Sequence, residues 1–64
     1  MHLKPEEVAL RLRTSVGVLS NWRRQGKGPK YIKLGRKILY PLREVETFET
    51  AHTIANTSMQ PRVM

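Results

Sequence analysis

The chain contains no cysteine and only two histidines, His2 and His52, which lie far apart in the sequence. A disulfide framework and a thiolate zinc site are therefore both excluded. With 64 residues, the chain can hold one domain with a small core. We therefore expect no structural metal and no cofactor, and we expect the function to lie on an exposed surface rather than in a deep pocket.

Long apolar runs are also missing. No stretch approaches the roughly 18 apolar residues of a membrane span. The N-terminus lacks the order of a signal peptide, in which a basic segment precedes an apolar one. We therefore expect a soluble protein of the cytoplasm that does not associate with membranes.

Acidic residues are absent from the whole segment between Val8 and Arg43, although ten of the 12 Lys and Arg residues lie there. The chain carries a formal net charge of +7. A surface that is only solvated usually mixes both signs of charge. The bias therefore favours a polyanionic partner, with nucleic acid ahead of an anionic membrane or an acidic protein.

Two helices are predicted in the first half of the chain. The first is expected over Pro5–Leu12, because proline is favoured at the first helical position and glutamates in the first turn complement the helix dipole. Its core stripe is expected to be Val8, Ala9 and Leu12, with Leu3 packing against it.

The second helix is expected over Val16–Gln25. Thr14-Ser15 is a capping signal before it, and Gly26 suits the left-handed residue that ends it. Leu19 and Trp22 should face the core. So short a link between the two helices is typical of a sharply angled helix-turn-helix.

A β-hairpin and a third helix follow. Lys30–Leu34 and Lys37–Tyr40 flank a two-residue turn that opens with Gly35, which predicts a hairpin. Alternation is expected to bring four apolar residues to one face and to leave four other residues outward. The expected inner residues are Ile32, Leu34, Ile38 and Tyr40, and the expected outer ones are Tyr31, Lys33, Lys37 and Leu39.

The third helix is expected to begin at Pro41 or Leu42 and to end near Thr50 or Ala51. Leu42, Val45 and Phe48 should face the core, and Glu44, Glu46 and Glu49 should face water. The fold class is therefore a small, mainly α (α+β) winged helix-turn-helix. Residues 1–51 would form this domain, and residues 52–64 would form a tail that is flexible or binds a partner.

The outer face of the second helix contains the candidates for contact with bases. If Leu19 and Trp22 face the core, the opposite face presents Val16, Gly17, Ser20, Asn21 and Arg24. Asn21 could pair with adenine, and Arg24 with guanine or a phosphate. Gly17 would allow close approach to DNA. A helix face that is only solvated is the alternative.

Other cations are candidates for the DNA backbone and the minor groove. We expect Ser15, Arg23, Lys27 and Lys30 to contact the backbone. The hairpin cations Lys33, Arg36 and Lys37 are candidates for the adjacent minor groove, with Arg36 at the tip. An exposed turn residue without a DNA contact is the alternative for Arg36.

The segment from Leu3 to Glu49 resembles the small winged helix-turn-helix proteins shared by excisionases, also called recombination directionality factors, and mercury-resistance-type regulators. The motifs that carry the resemblance are Leu3–Ala9, Leu19 with Trp22–Gly26, Gly28–Arg36, and Tyr40 with Arg43–Glu46. The sequence departs from the pattern at Lys4, where Thr or Ser is usual, and at Arg13, where Gly is usual. It departs again at Val16 and Gly17, where polar residues are usual, and this leaves the base preference open.

The resemblance implies a second helix in the major groove, a wing in the minor groove and a protein that bends double-stranded DNA. In excisionases it also implies head-to-tail self-association on attachment-site DNA and contact with the integrase of a phage or mobile element, which favours excision. A nucleoid-associated protein of a bacterial host is then expected. The chain shows no long dimerisation helix, which favours a stand-alone architectural factor.

Three other functions are weighed against an excisionase. A small stand-alone transcriptional regulator is the principal alternative, because the fold is compatible with both. A module that binds only proteins through its basic surface is a second one. An enzyme is not expected, because no nucleophile with a neighbouring base and no metal-binding cluster is evident.

Overall fold

The computed structural model describes residues 1–53. The elements in chain order are β1 (His2–Leu3), α1 (Pro5–Arg11), α2 (Val16–Gln25), β2 (Ile32–Leu34), β3 (Lys37–Pro41) and α3 (Leu42–Ala51). The antiparallel strands have the order β1-β3-β2. The helix-turn-helix of α1 and α2 and the hairpin of β2 and β3 together form the winged helix-turn-helix that the sequence predicts.

The core is small and draws on all three helices and the central strand. Its buried residues are Val8, Ala9, Leu19, Tyr40 and Val45, and Leu3, Leu12, Trp22 and Ile38 pack against them. The stripes predicted for the three helices are confirmed, although Leu42 and Phe48 are half-buried. Phe48 lies against Trp22, with ring centroids 5.6 Å apart, so this aromatic pair connects α3 with α2.

Helix α1 begins as predicted and ends one residue early. The Glu7 carboxylate accepts a hydrogen bond of 2.7 Å from the Lys4 backbone N–H, which compensates for the poor capping side chain of Lys4. The helix ends at Arg11 because Arg13 takes a left-handed conformation with φ 57°. The backbone N–H groups of Arg13 and Thr14 then donate to the carbonyls of Leu10 and Ala9, as in a Schellman motif.

Helix α2 has the predicted limits and both predicted caps. The Ser15 hydroxyl accepts a hydrogen bond of 3.1 Å from the Val18 N–H. Gly26 has φ 72°, and the N–H groups of Gly26 and Lys27 donate to the carbonyls of Arg23 and Trp22. The end of α2 is therefore a second Schellman motif, built on glycine.

Strand β1 was not predicted. His2 pairs with Pro41 and Leu3 pairs with Tyr40, and the Leu42 N–H donates to the Met1 carbonyl at 2.8 Å. A two-residue strand is too short to show alternation in a sequence. It forms because β3 otherwise has an unpaired edge beside the start of α1.

The hairpin is confirmed, but the prediction of which residues share a face is wrong. The turn is Gly35–Arg36, with φ 62° at Gly35, and Ile32 pairs with Leu39 and Leu34 with Lys37. Directly paired residues lie on the same face of an antiparallel sheet. Ile32 and Leu34 therefore share a face with Leu39.

The inner face of the hairpin is formed by β3, through Tyr40 and Ile38. Tyr31 was predicted to point outward, and it is 40% exposed, although its ring also lies 6.0 Å from that of Tyr40. Lys33 pairs with Ile38 and so also lies on the inner side, whereas Leu34 is 58% exposed. Alternation within each strand is compatible with two opposite registers, and the two-residue turn selects this one.

Helix α3 begins at Leu42 and ends at Ala51, within the predicted limits. Glu49 was predicted to face water, and its side chain is 36% exposed, while its carboxylate also pairs with Arg11 of α1 at 2.9 Å. The apolar residues Ile54, Met59 and Val63, expected in a flexible or partner-binding tail, lie outside the described residues.

Candidate nucleic-acid interface

Helix α2 presents one strip of its surface outward because the other side is packed. Leu19 is fully buried, Trp22 is half-buried, and the residues on the opposite side remain accessible. This strip consists of the five residues predicted for the major groove, of which Val16, Gly17, Asn21 and Arg24 are exposed and Ser20 is half-buried. We refer to these five residues as the α2 strip.

Asn21 and Arg24 contact each other on the α2 strip. They are one helical turn apart, and an Arg24 guanidinium N–H donates to the Asn21 side-chain oxygen. The contact places an amide and a guanidinium side by side. These are the two side-chain groups that pair bidentately with adenine and guanine in the major groove.

Gly17 has no local structural reason to be glycine. A Cβ atom at this position would meet only the Ser15 hydroxyl, at 3.8 Å, and Gly17 does not have a positive φ. Glycine inside a helix costs roughly 0.5–1 kcal/mol relative to alanine. The residue therefore lowers helix stability while it keeps the surface beside Val16 flat.

Arg23 differs from the other predicted backbone-contacting residues because it is half-buried. Its guanidinium donates a hydrogen bond of 2.7 Å to the Tyr40 hydroxyl and lies 5.7 Å from the centroid of the Tyr31 ring. The contact joins α2 to the hairpin. Sequence reasoning missed it, although Arg23 follows Leu19 by four residues and so lies within about 40° of it around the helix.

An open concavity brings together three of the four residues predicted to contact the DNA backbone. Arg23, Lys27 and Lys30 line it together with Tyr31 and the backbone of Gly26, Gly28 and Pro29. We refer to it as the cationic concavity. Ser15, the fourth residue, lies at the opposite end of α2, where its hydroxyl caps the helix.

The three wing cations are exposed and lie on different sides of the hairpin. Lys33 pairs with Ile38, Lys37 pairs with Leu34, and Arg36 is in the turn. Because the two pairs lie on opposite faces, a lysine flanks each side of the tip. A narrow tip with cations on both sides suits the width and negative potential of a minor groove.

An exposed pair of opposite charges lies away from these residues. The Arg11 guanidinium donates hydrogen bonds of 2.9 and 3.0 Å to the two carboxylate oxygens of Glu49. The hydrogen bond from Arg11 lowers the pKa of Glu49, and the same bond raises the pKa of Arg11. Arg11 therefore stays charged and is paired with a carboxylate on the side formed by α1 and α3.

Residues 3–53 match the family model described as a helix-turn-helix domain. No curated protein and no solved structure matches the chain. Within the part of the chain that the structure describes, no helix has the length and apolar character needed to cross a membrane.

Proposed function

Because the chain belongs to the helix-turn-helix domain family of DNA-binding proteins, we propose that α2 enters the major groove of a specific site and the hairpin tip the adjacent minor groove. The observation that carries the proposal is the α2 strip, where the Asn21 amide and the Arg24 guanidinium lie side by side on the side opposite the core. In this arrangement Asn21 and Arg24 read base edges, Ser20 adds a hydrogen bond, and Val16 meets a thymine methyl group.

The remaining cations hold the duplex in register. Arg23, Lys27 and Lys30 contact phosphates from the cationic concavity, and Ser15 contacts the backbone at the start of α2. Lys33, Arg36 and Lys37 enter the minor groove. Contacts of the wing with the minor groove can repay the deformation energy of a bend in the DNA.

We further propose that the protein is an excisionase, an architectural factor without catalysis of its own. The resemblance of Leu3–Glu49 to excisionases supports this role, and the helix-turn-helix family includes excisionase-like proteins. In this role several copies bind head to tail on attachment-site DNA. The bent complex then holds an integrase in the arrangement that leads to excision.

A circular-permutation gel shift tests this function, with purified protein and duplexes from the attachment site and the promoter next to its own gene. We expect stepwise shifted bands and a bend whose apparent size depends on the position of the site. Arg36→Ala should reduce the bend while binding through α2 persists. An integrase-dependent excision assay then tests the role directly.

A small stand-alone transcriptional regulator is the second candidate function, because the same α2 strip and wing would serve at an operator. It predicts a single complex at the promoter, without a bend and without stimulation of excision. That result would replace the excisionase proposal and leave DNA binding intact.

A further inference from the structure

We infer that the cationic concavity is a preorganised site for one phosphate of the DNA backbone, and that the buried Tyr40 hydroxyl positions Arg23 in it. The inference rests on the proposed function, since the phosphate belongs to the bound duplex. Beyond the proposed function, the inference gives Tyr40, a core residue, a role in DNA binding that it exerts only through Arg23.

The geometry at Arg23 restricts the guanidinium before DNA arrives. Tyr40 is 1% exposed and cannot move freely, and its hydroxyl accepts one hydrogen bond from Arg23. The Tyr31 ring lies beside the guanidinium carbon. A guanidinium has five N–H donors, so donors remain for an anion. Side-chain entropy that is lost on folding is not lost again on binding.

The buried Tyr40 hydroxyl needs a hydrogen-bond partner, and this need alone would explain the presence of Arg23. It does not explain the other two cations, Lys27 and Lys30. Lys27 and Lys30 line the same concavity, and among residues 1–53 no carboxylate lines it. Three like charges without a counter-charge repel one another. An anion in the concavity would convert this repulsion into attraction.

The loop that carries the lysines is held in place by α2. Gly28 has φ 80°, and a Cβ atom there would lie 2.9 Å from the Trp22 ring. The loop backbone therefore packs directly on Trp22. Glycine at this position lets the loop approach α2 closely, and the close approach fixes the wall of the concavity opposite Arg23.

The location in the fold identifies the source of the phosphate. The concavity lies between the C-terminal end of α2 and the beginning of the hairpin. On a duplex, the sugar-phosphate backbone separates the major groove from the adjacent minor groove. If α2 occupies one groove and the wing the other, a backbone phosphate must pass the residues that join them.

The first experiment measures the salt dependence of binding to a duplex site by fluorescence anisotropy. The variants are Arg23→Gln and Tyr40→Phe, and Arg43→Gln on α3 is the charge-matched control. We expect the slope of log K against log salt to decrease by about 0.9 for Arg23→Gln. Tyr40→Phe should also decrease this slope, whereas the Arg43→Gln control should leave the slope near the wild-type value.

Tyr40→Phe is informative because it changes no charge. A purely structural role for the Tyr40 hydroxyl would lower thermal stability and leave the salt slope unchanged. If Tyr40→Phe does not fold, Arg23→Lys replaces it. Arg23→Lys keeps the charge but loses the planar set of donors. Binding affinity should therefore depend less on any one particular phosphate of the duplex.

The second experiment identifies the phosphate with duplexes in which single phosphates are replaced by neutral methylphosphonates. Wild-type protein should lose about tenfold in affinity at one phosphate beside the α2 contact, and Arg23→Gln should show no further loss at that position. Equal sensitivity of both proteins at every phosphate would overturn the inference while duplex binding stands. Failure of the wild type to bind any duplex in a salt-dependent manner would overturn the proposed function as well.

Discussion

Arg13 and Gly26 occupy equivalent positions at the ends of α1 and α2. Both have positive φ, 57° and 72°, and each is followed by a hydrogen bond that closes a Schellman motif. A left-handed conformation costs a residue with a side chain roughly 1–2 kcal/mol, whereas glycine adopts it readily. The turn of the helix-turn-helix therefore stores strain at Arg13.

Replacing Arg13 by glycine should raise the free energy of unfolding by about 1 kcal/mol, because the strain is removed. Urea denaturation followed by circular dichroism measures this change. Gly26→Ala is the matched comparison and should lower the unfolding free energy by a similar amount. An unchanged or lower stability of Arg13→Gly would mean that the arginine side chain stabilises the turn by more than its backbone costs.

The elements are joined by contacts that connect residues far apart in sequence. Arg11 and Glu49 join α1 to α3, Arg23 and Tyr40 join α2 to the hairpin, and Trp22 packs on Phe48 between α2 and α3. The first of these contacts titrates. Because Arg11 lowers the pKa of Glu49, the contact is tied to the pH dependence of stability.

Glu49 should contribute to acid unfolding. Its pKa in the folded protein is lower than the ordinary value of 4.5, so the folded state binds this proton less readily than the unfolded state does. The stabilisation is therefore complete above about pH 4.5 and is lost as the pH falls through the folded pKa. Glu49→Gln should flatten the decrease of the unfolding free energy over this acidic range.

Arg11→Gln should produce the same flattening, because it removes the partner that lowers the pKa of Glu49. Chemical denaturation at a series of pH values between about 3 and 6 compares both variants with the wild type. If the unfolding free energy of both variants depends on pH as steeply as that of the wild type, other carboxylates dominate the acid unfolding.

At the scale of the whole molecule, the proposed interface assigns base reading to one group of residues and positioning of the duplex to another. The α2 strip holds the donors and acceptors of Asn21 and Arg24, whereas Lys27 and Lys30 are cations of the adjoining concavity. Base contacts create sequence preference, and phosphate contacts strengthen binding to every sequence. The two groups should therefore respond differently to substitution.

Asn21→Ala should cost about 1–3 kcal/mol at the preferred site and relax the preference at one base pair. Lys27→Ala should weaken binding to all duplexes alike and reduce the salt slope by about 1. Selection of sites from a random duplex library, followed by binding titrations on the preferred site and a scrambled one, separates the two effects. A uniform loss of affinity for all duplexes in Asn21→Ala would contradict the proposal that Asn21 reads a base.

Much of the fold was predictable because it depends on local pattern. Capping residues, glycines and apolar spacing led to the limits of α2 and α3 and to the two-residue turn. The same spacing located the α2 strip, since a helix with Leu19 inward must present Asn21 and Arg24 outward. These features require only the geometry of one element and the burial of its apolar side.

The tertiary structure decided what depends on how elements meet. Strand β1 exists only because β3 offers an edge to the first residues. The contacts of Arg23 with Tyr40 and of Arg11 with Glu49 join residues 17 and 38 positions apart. Periodicity carries no information about such partners, because they are selected by the packing of whole elements.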